Sequence, residues 1–414
     1  MKSKLFYKLI LAFLTFAVFV VFSHSAYRGE STVMMQGFHW TSWKTSPWWS
    51  VLGNKASEMS SAGIDLIWFP PSFDSLSPEG YLPRKLNLQD SKYGSEAQLI
   101  SAIKSFHSNG IKVIGDIVVN HRVGTLDWAD FTDPTWAPNS VCSDDEWGQG
   151  QGAADSGKTY EAARDIDHTQ AYVRESVSMW LNHLRNKIGY DGWRYDYARG
   201  IAPVYYNLYS QTSSSVFSVA EIWDNLDVNN SDSHRQQLCD WMESAGGNIK
   251  AFDFTTKGVL QHAINNREYW RLIDKNSAPS GLIGWWPANA VTFIDNHDTV
   301  NRVSSPGHRA WPFPANKIMQ GYAYILTHPG IPCIYWTHFF DYGLKNEITA
   351  LIKIRKAYGI NSASYVRIVK AVPDVYSAII DETIAIKIGP GYWEPGADWQ
   401  LQAQGYEYKV WVKK

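Results

Sequence analysis

Three apolar runs in the chain end in acidic side chains. Residues 291–298 (VTFIDNHD) close with Asp295, Asn296, His297 and Asp298, residues 192–196 (GWRYD) with Arg194 and Asp196, and residues 216–221 (VFSVAE) with Glu221. Short β-branched and apolar runs of this kind read as buried strands, so each delivers polar side chains to a pocket at its C-terminal end. Arg194 and Asp196 are two positions apart and therefore face the same side of a strand. A guanidinium beside a carboxylate favours its ionised form. An ionised carboxylate facing an anomeric carbon can act as a nucleophile in glycosyl chemistry, although the spacing equally suits a structural ion pair. Glu221 precedes Ile222 and Trp223. An apolar wall and a second carboxylate would raise its pKa and let it donate a proton to a leaving oxygen, unless it is an ordinary buried Glu paired with Arg. Asp298 could bind sugar hydroxyls and, by like-charge repulsion, keep Glu221 protonated. His121 and His297 are donors at strand ends, and either alone also reads as a packed, satisfied ring. A zinc site built from His121, Asp196, Glu221 and His297 is the rival reading, but no HExxH or similar local ligand pair supports it.

The intervening elements must bring these groups together. Strands are expected at 33–38, 64–69, 111–119, 192–196, 216–220, 249–254, 291–294 and 331–335, the last containing Pro332. Helices are expected at 55–62, 96–107, 172–184, 205–209, 233–242, 259–264, 318–326 and 346–358. Alternation at this spacing means parallel βα units, and strands apolar throughout are covered on both faces. The fold class is thus α/β: a (β/α)8 TIM barrel with reactive groups on the βα loops of one face. An insert domain is expected after strand 3, where 122–164 turns polar and rich in Gly, Asp, Trp and Pro. Carboxylates and carbonyls there suit a hard cation. A small antiparallel β domain is expected at 358–414, with strands at 366–372, 375–381, 383–388 and 407–412. The domains divide as 1–25, 26–121, 122–164, 165–357 and 358–414.

The chain has 414 residues and a formal net charge of −2, so it offers no basic field for nucleic acid. Its 20 Trp and 23 Tyr suit either a large aromatic core or stacking platforms for sugar rings. Lys2, Lys4 and Lys8 precede an apolar run at 9–22 followed by Ser23, Ser25 and Ala26, the parts of an export signal cut near 25. A secreted protein, extracellular or periplasmic, with no membrane segment after cleavage and a monomeric state, is expected. Three cysteines, Cys142, Cys239 and Cys333, argue against a disulfide framework.

At four short motifs the chain resembles the α-amylases of glycoside hydrolase family 13, especially plant and plant-like bacterial ones. The motifs read DIVVNH (116–121), GWRYDYARG (192–200), EIW (221–223) and FIDNHD (293–298), in the family's order. Similarity extends through GFHWTSWK, PEGYLPRKLNLQDSKYGS, FDFTTKG, GWWPANAVTF and GYAYILTHPGIPCIY. The resemblance implies Asp196 as nucleophile, Glu221 as general acid/base and Asp298 as transition-state stabiliser. It implies Tyr81, His121, Arg194, Arg199, Trp223 and His297 as substrate-binding or carboxylate-orienting residues. It implies Ca2+ held by Asn120, Asp165 and the Gly200 carbonyl, with the Asp144/Asp145 pair and Asp155 in the insert segment that supplies further ligands. It implies internal cleavage of α-1,4 bonds in starch, amylose and maltooligosaccharides by double displacement, with the two carboxyl groups roughly 5 Å apart.

Four features depart from the pattern. Tyr195 and Tyr197 stand where plant members usually have Phe, and Arg199 where many have Lys. The insert is shorter than in plant members, which weakens the case for extra calcium sites but not for the principal one, and the chloride-binding arginine pattern of animal members has no clear match. Tyr392, Trp393, Trp399 and Tyr406 suit packing against the barrel or, less well, an accessory glucan site. The alternatives are a related transglycosylase, an α-1,6-acting enzyme, or a non-catalytic glucan-binding protein.

Overall fold

The computed structural model describes residues 31–300 and 310–414, so the proposed export segment lies outside the described residues. Eight parallel strands close into a barrel: β1 (Met34–Gln36), β2 (Leu66–Phe69), β3 (Lys112–Ile117), β4 (Gly192–Tyr195), β5 (Phe217–Ala220), β6 (Lys250–Phe252), β7 (Ala290–Thr292) and β8 (Ile331–Tyr335). All residues of β1, β2, β4, β5, β7 and β8 are buried, as two-sided coverage requires. Pro332 sits within β8 opposite Thr292 of β7. Register has a chemical consequence here, because β3 and β4 pair Asp116 with Arg194 and so place a carboxylate beside the guanidinium.

The covering helices are α1 (Trp48–Ala62), α2 (Glu96–Ser108), α3 (Ala171–His183), α4 (Pro203–Thr212), α5 (Ser231–Ser244), α6 (Phe254–Asn266), α7 (Ile318–Thr327) and α8 (Lys345–Ala357). Local chemistry sets their ends. Ser95 and Gln98 form a capping box on α2, Asp253 accepts the Thr256 N–H at the start of α6, and left-handed Gly63 ends α1. Helix α1 is longer than the expected 55–62. Gly53 does not break it, because there the helix meets α2, and a Cβ at Gly53 would lie only 3.4 Å from the Ala102 Cα. Trp48, Trp49 and Leu52 extend its buried face.

The segment between β3 and α3 carries little regular structure. A ribbon pairs His121–Arg122 with Arg164–Asp165, and a short turn of helix spans Pro138–Ser140. Buried Arg122 organises its near half, donating to the carbonyls of Arg84, Thr132 and Pro134 and lying over the rings of Phe131 and Trp136.

The C-terminal sheet has five antiparallel strands: β9 (Val366–Val372), β10 (Val375–Ile380), β11 (Ile384–Ile388), β12 (Trp399–Gly405) and β13 (Tyr408–Lys413), in the order β9-β10-β11-β13-β12. Strand β12 is absent from the sequence-based expectation. As an edge strand it is mostly exposed, so no apolar face marks it in the sequence. Every residue of α7 is buried because the sheet covers the side that the barrel leaves bare. His328 to Tyr376 (2.8 Å) and Gln320 to Glu407 (2.9 Å) tie the two together. Trp393 and Trp399 are not packed on the barrel; they cover Ile379, Ala385 and Trp411 on a separate face of the sheet.

Gly192 tests the closeness of the strands: a Cβ there would fall 2.0 Å from the Phe217 carbonyl oxygen of β5. Gly192→Ala is expected to cost at least about 1–3 kcal/mol, read as a lower midpoint in chemical denaturation; an unchanged midpoint would contradict the strand spacing.

Candidate active site

Strands β3, β4 and β5 and the turn after β7 aim four carboxylates at one guanidinium. Arg194 is fully buried. Its Nη1 lies 2.8 Å from Asp116 and 2.7 Å from Asp196, and its Nη2 lies 3.0 Å from Glu221 and 4.0 Å from Asp298. The Trp68 ring lies under it at 4.7 Å. Among these acids Asp298 is the most accessible, with a side chain 19% exposed, while that of Asp116 is 0% exposed. Asp116 is thus the floor of the site, and the other three form its opening.

Burial opposes the Arg194 charge, but Asp116, Glu221 and Asp196 outweigh it and hold the guanidinium well above its ordinary range. Burial pushes Asp116 up to about 7; Arg194 pulls it down, Asp196 pushes it further up, and a hydrogen bond from Tyr81 stabilises its charge. Glu221 is also raised, first by burial and then by Asp196, against the pull of Arg194 and of the Tyr197 N–H. That N–H donates to Glu221 Oε2 at 3.0 Å, and Tyr197 adopts a left-handed φ of 43° in the turn that presents it.

Tyr81 and His297 form the adjoining wall. The Tyr81 hydroxyl donates to Asp116 at 2.8 Å and meets His297 Nε2 at 2.7 Å. Gln36 Nε2 donates to His297 Nδ1 at 2.9 Å, which leaves the imidazole proton on Nε2, facing Tyr81 and, at 3.2 Å, Asp298. Trp40 stacks parallel to Tyr81 at 6.0 Å. Burial lowers His121 to about 4, so the ring is neutral at neutral pH. Its Nε2–H donates to the Tyr81 carbonyl at 2.8 Å, and Tyr160 stacks on it at 3.9 Å.

Arg199 and Trp223 lie further out. Arg199 donates to the Trp223 carbonyl (2.7 Å) and to Asp224 (2.9 Å), and Asp224 also pairs with Lys158. Trp223 stacks against Phe254 at 5.1 Å and Trp311 at 6.5 Å. Two cavities adjoin the outer residues of the site, neither of them lined by Asp196, Glu221 or Asp298. One of about 790 Å³ lies on the Trp223 side, lined by Arg199, Asp224, His262 and Trp311. One of about 830 Å³ lies on the Trp40 side, lined by Lys44, Phe313, Tyr335 and His338.

The residues suited to a cation cluster beside His121. Asn120 Nδ2 donates to Asp165 Oδ1 at 3.1 Å, which leaves the buried Asn120 Oδ1 without a partner, and Asp155 Oδ2 is likewise unpartnered. A Cβ on Gly200 would fall 1.8 Å from Asn120 Oδ1, so only glycine leaves that oxygen accessible. Unpaired oxygen acceptors beside acidic neighbours fit a hard cation. Asp144 is exposed and accepts the Asp155 N–H at 2.8 Å. Its neighbour Asp145 is buried and groups with Glu146 and Asp165.

Four residues of the site escape the sequence reasoning: Asp116, Gln36, Trp40 and Tyr160. Asp116 does carry a signal: it is the one acid inside the run IKVIGDIVV, and a charge within a buried strand needs a partner. Gln36 likewise ends an apolar strand; Trp40 and Tyr160 lie in loops and offer no such signal.

Residues 54–140 match the family model described as alpha amylase, catalytic domain, and residues 357–412 match the alpha-amylase C-terminal beta-sheet domain. The chain is 44% identical over 395 residues to alpha-amylase 3, chloroplastic, of Arabidopsis thaliana, covering 92% of this chain but 44% of that protein. It is 42% identical over 402 residues to probable alpha-amylase 2 of the same plant, covering 93% of this chain and 95% of that protein. An alpha-amylase structure from Malbranchea cinnamomea shares the fold, with a TM-score of 0.69 at 14% identity, covering 93% and 97% of the two chains.

Replacing Arg194 by Met would leave its buried carboxylates without their cation. Loss of one partner of a buried charge cluster costs about 3–5 kcal/mol, so Arg194→Met is expected to lower the denaturation midpoint by a corresponding amount, and an unaltered midpoint would contradict the pairing.

Proposed function

The chain belongs to the α-amylase family, and from the geometry of its site we propose that it cleaves internal α-1,4-glucosidic bonds of starch, amylose and maltooligosaccharides with retention of configuration. The observation that carries this reading is the convergence of Asp196, Glu221 and Asp298 on Arg194. A retaining cleavage needs one carboxylate as nucleophile and one carboxyl group as proton donor, close together but in unlike environments. Asp196 takes a 2.7 Å ion pair that suits an anionic nucleophile. Glu221 takes burial and a raised pKa that suit a proton donor.

In this mechanism Asp196 attacks the anomeric carbon while Glu221 protonates the departing glucosyl oxygen. A β-linked glycosyl ester forms on Asp196. Glu221, now a carboxylate, takes a proton from water, which attacks the same carbon and restores the α configuration. Asp298 and His297 hold ring hydroxyls as the sugar flattens towards an oxocarbenium ion, and Tyr81 offers its face to that ring. Neutral His121 donates no charge and serves as an orienting group. Arg199 and Trp223 face the leaving portion of the chain. The planar, forked head of Arg199 would grip sugar hydroxyls differently from a lysine.

Asn120, Asp155, Asp165 and the Gly200 backbone would hold Ca2+, with Asp144 supporting Asp155. The ion supplies a structural tie between the polar segment after β3 and the barrel. Export through residues 1–25 and action as a monomer on glucan outside the cytoplasm complete the proposal; no helix among the described residues is long and apolar enough to cross a membrane.

Glu221→Gln should slow amylose turnover by about 10²–10⁴-fold, while the unaltered protein releases α-anomeric products; near-normal turnover by the variant would refute the assignment. Because Glu221 is raised, it keeps its proton past the ordinary glutamate value of about 4.3 and loses it only as pH climbs further. The pH profile of kcat/KM should therefore fall on the alkaline side, with an apparent pKa above that value. Chelation with EDTA should lower the thermal midpoint and the amylose-hydrolysing rate together, and calcium should restore both. Unchanged behaviour after verified metal removal would exclude the cation site.

A further inference from the structure

Beneath the turn that carries His297 and Asp298 lies a second buried ion pair that the proposed chemistry does not use. Lys257 of α6 is 0% exposed, and its ammonium lies 3.3 Å from Asp295, the residue at the exit of β7. Burial lowers the lysine to about 8 against the pull of Asp295, so it is cationic at neutral pH. The Lys257 Nζ also donates to the Trp311 carbonyl at 2.8 Å and to Gln261, and lies over the Trp311 and Phe313 rings at 4.7 and 5.7 Å.

Asp295 collects the remaining partners. Its Oδ1 accepts the Thr299 hydroxyl at 2.8 Å, its Oδ2 accepts the Phe313 N–H at 3.0 Å, and His338 Nε2 lies 3.6 Å away. Asn296 closes the turn from inside: its side-chain oxygen accepts the N–H groups of Asp298 (2.9 Å) and Thr299 (2.9 Å). The Trp311 N–H donates to the Thr299 carbonyl at 2.7 Å. The path from Lys257 to the catalytic turn is therefore continuous: ammonium, Asp295 carboxylate, Thr299 hydroxyl, then the backbone that presents Asp298.

We propose that Lys257 is a positioning residue for the reaction, its ion pair with Asp295 pinning the 296–299 turn and the 311–313 segment so that Asp298 is held at the reacting sugar. This rests on the assignment of Asp298 under the proposed function. Lys257 touches no substrate and acts through Asp295 and through the Trp311 carbonyl that it also holds. An alternative in which the pair merely holds α6 against β7 predicts lower stability but ordinary kinetics for the folded protein. A positioning role predicts more. Asp298 contributes when the ring flattens, so a misplaced Asp298 slows the chemical step while leaving ground-state binding intact.

The test compares Lys257→Met, Asp295→Asn and the double variant with Asp298→Asn, using the full chain, maltoheptaose as substrate, and thermal unfolding on the same preparations. For folded Lys257→Met the inference predicts turnover at saturating substrate slowed by about tenfold or more, with KM within about twofold of wild type. The double variant should recover thermal stability, because no buried charge is left unpaired, yet its turnover should stay about tenfold or more below wild type while being no slower than that of the worse single variant. Should Lys257→Met fail to fold, the double variant carries the kinetic comparison. Wild-type turnover in a folded Lys257 variant, losses that simply add, or a rise in KM at constant turnover would each overturn the inference. Asp298→Asn separates the two levels: if it is inactive while Lys257→Met is normal, only the positioning role fails; if it is fully active, the assignment of Asp298 fails.

Discussion

One guanidinium sets the terms for the whole site. Arg194 is fully buried, yet carboxylates from three other chain positions and from Asp196, two residues along its own chain, lie within 4.0 Å of it. Taking such charges out of water is unfavourable unless each is matched in place. The barrel is what makes the matching possible. Register puts Asp116 opposite Arg194, the two-residue period puts Asp196 on the same side, and the next strand brings Glu221 alongside. The charge balance is incomplete: one cation faces several acids, which favours the protonated form of a carboxyl group among them. Asp116 and Glu221 are raised first by burial and then by the neighbouring Asp196 charge, against the pull of Arg194, an environment that would suit a proton donor beside an anion.

Around this centre the fold spends its buried polar groups on holding loops still. Arg122 fixes the start of the segment after β3 through backbone carbonyls, and Arg355 does the same for the end of α7 through the carbonyls of His328 and Gly330. Asp253 gathers the N–H groups of Thr256, Leu282 and Ile283. Lys257 and Asp295 extend the same logic to the 296–299 turn. Buried polar groups that are fully partnered favour a single arrangement over its neighbours. A site whose reacting groups arise from separate strand ends depends on that selectivity.

Much of this is legible in the sequence, for reasons that differ by element. Buried parallel strands are apolar on both faces, so runs such as LIWF and IPCIY stand out without alternation. The acids at their ends are visible as breaks in those runs. Helix α1 reads too short because Gly53 and the tryptophans before it resemble a loop, whereas they form a contact face with α2. Strand β12 is invisible because WQLQAQG is an exposed edge, with its register secured by β13 alone. Asp116 sits inside the motif DIVVNH without standing out as a site residue, although an acid within an apolar strand is chemically conspicuous. Lys257 leaves no trace in the sequence. It falls between the expected strand at 249–254 and the expected helix at 259–264, and its partner Asp295 lies 38 residues further on, joined to it only by the closure of the barrel.

The division of labour between Asp196 and Glu221 is the claim on which the rest stands. Its most direct test is to trap the intermediate: incubate the Glu221→Gln variant with an activated α-glucosyl fluoride, digest it, and locate the added mass by peptide mass spectrometry. The mechanism predicts one glycosyl group, attached to the peptide containing Asp196 and absent from an Asp196→Asn control. A label on Asp298 or on Asp116, or turnover to β-configured product with no label at all, would contradict it.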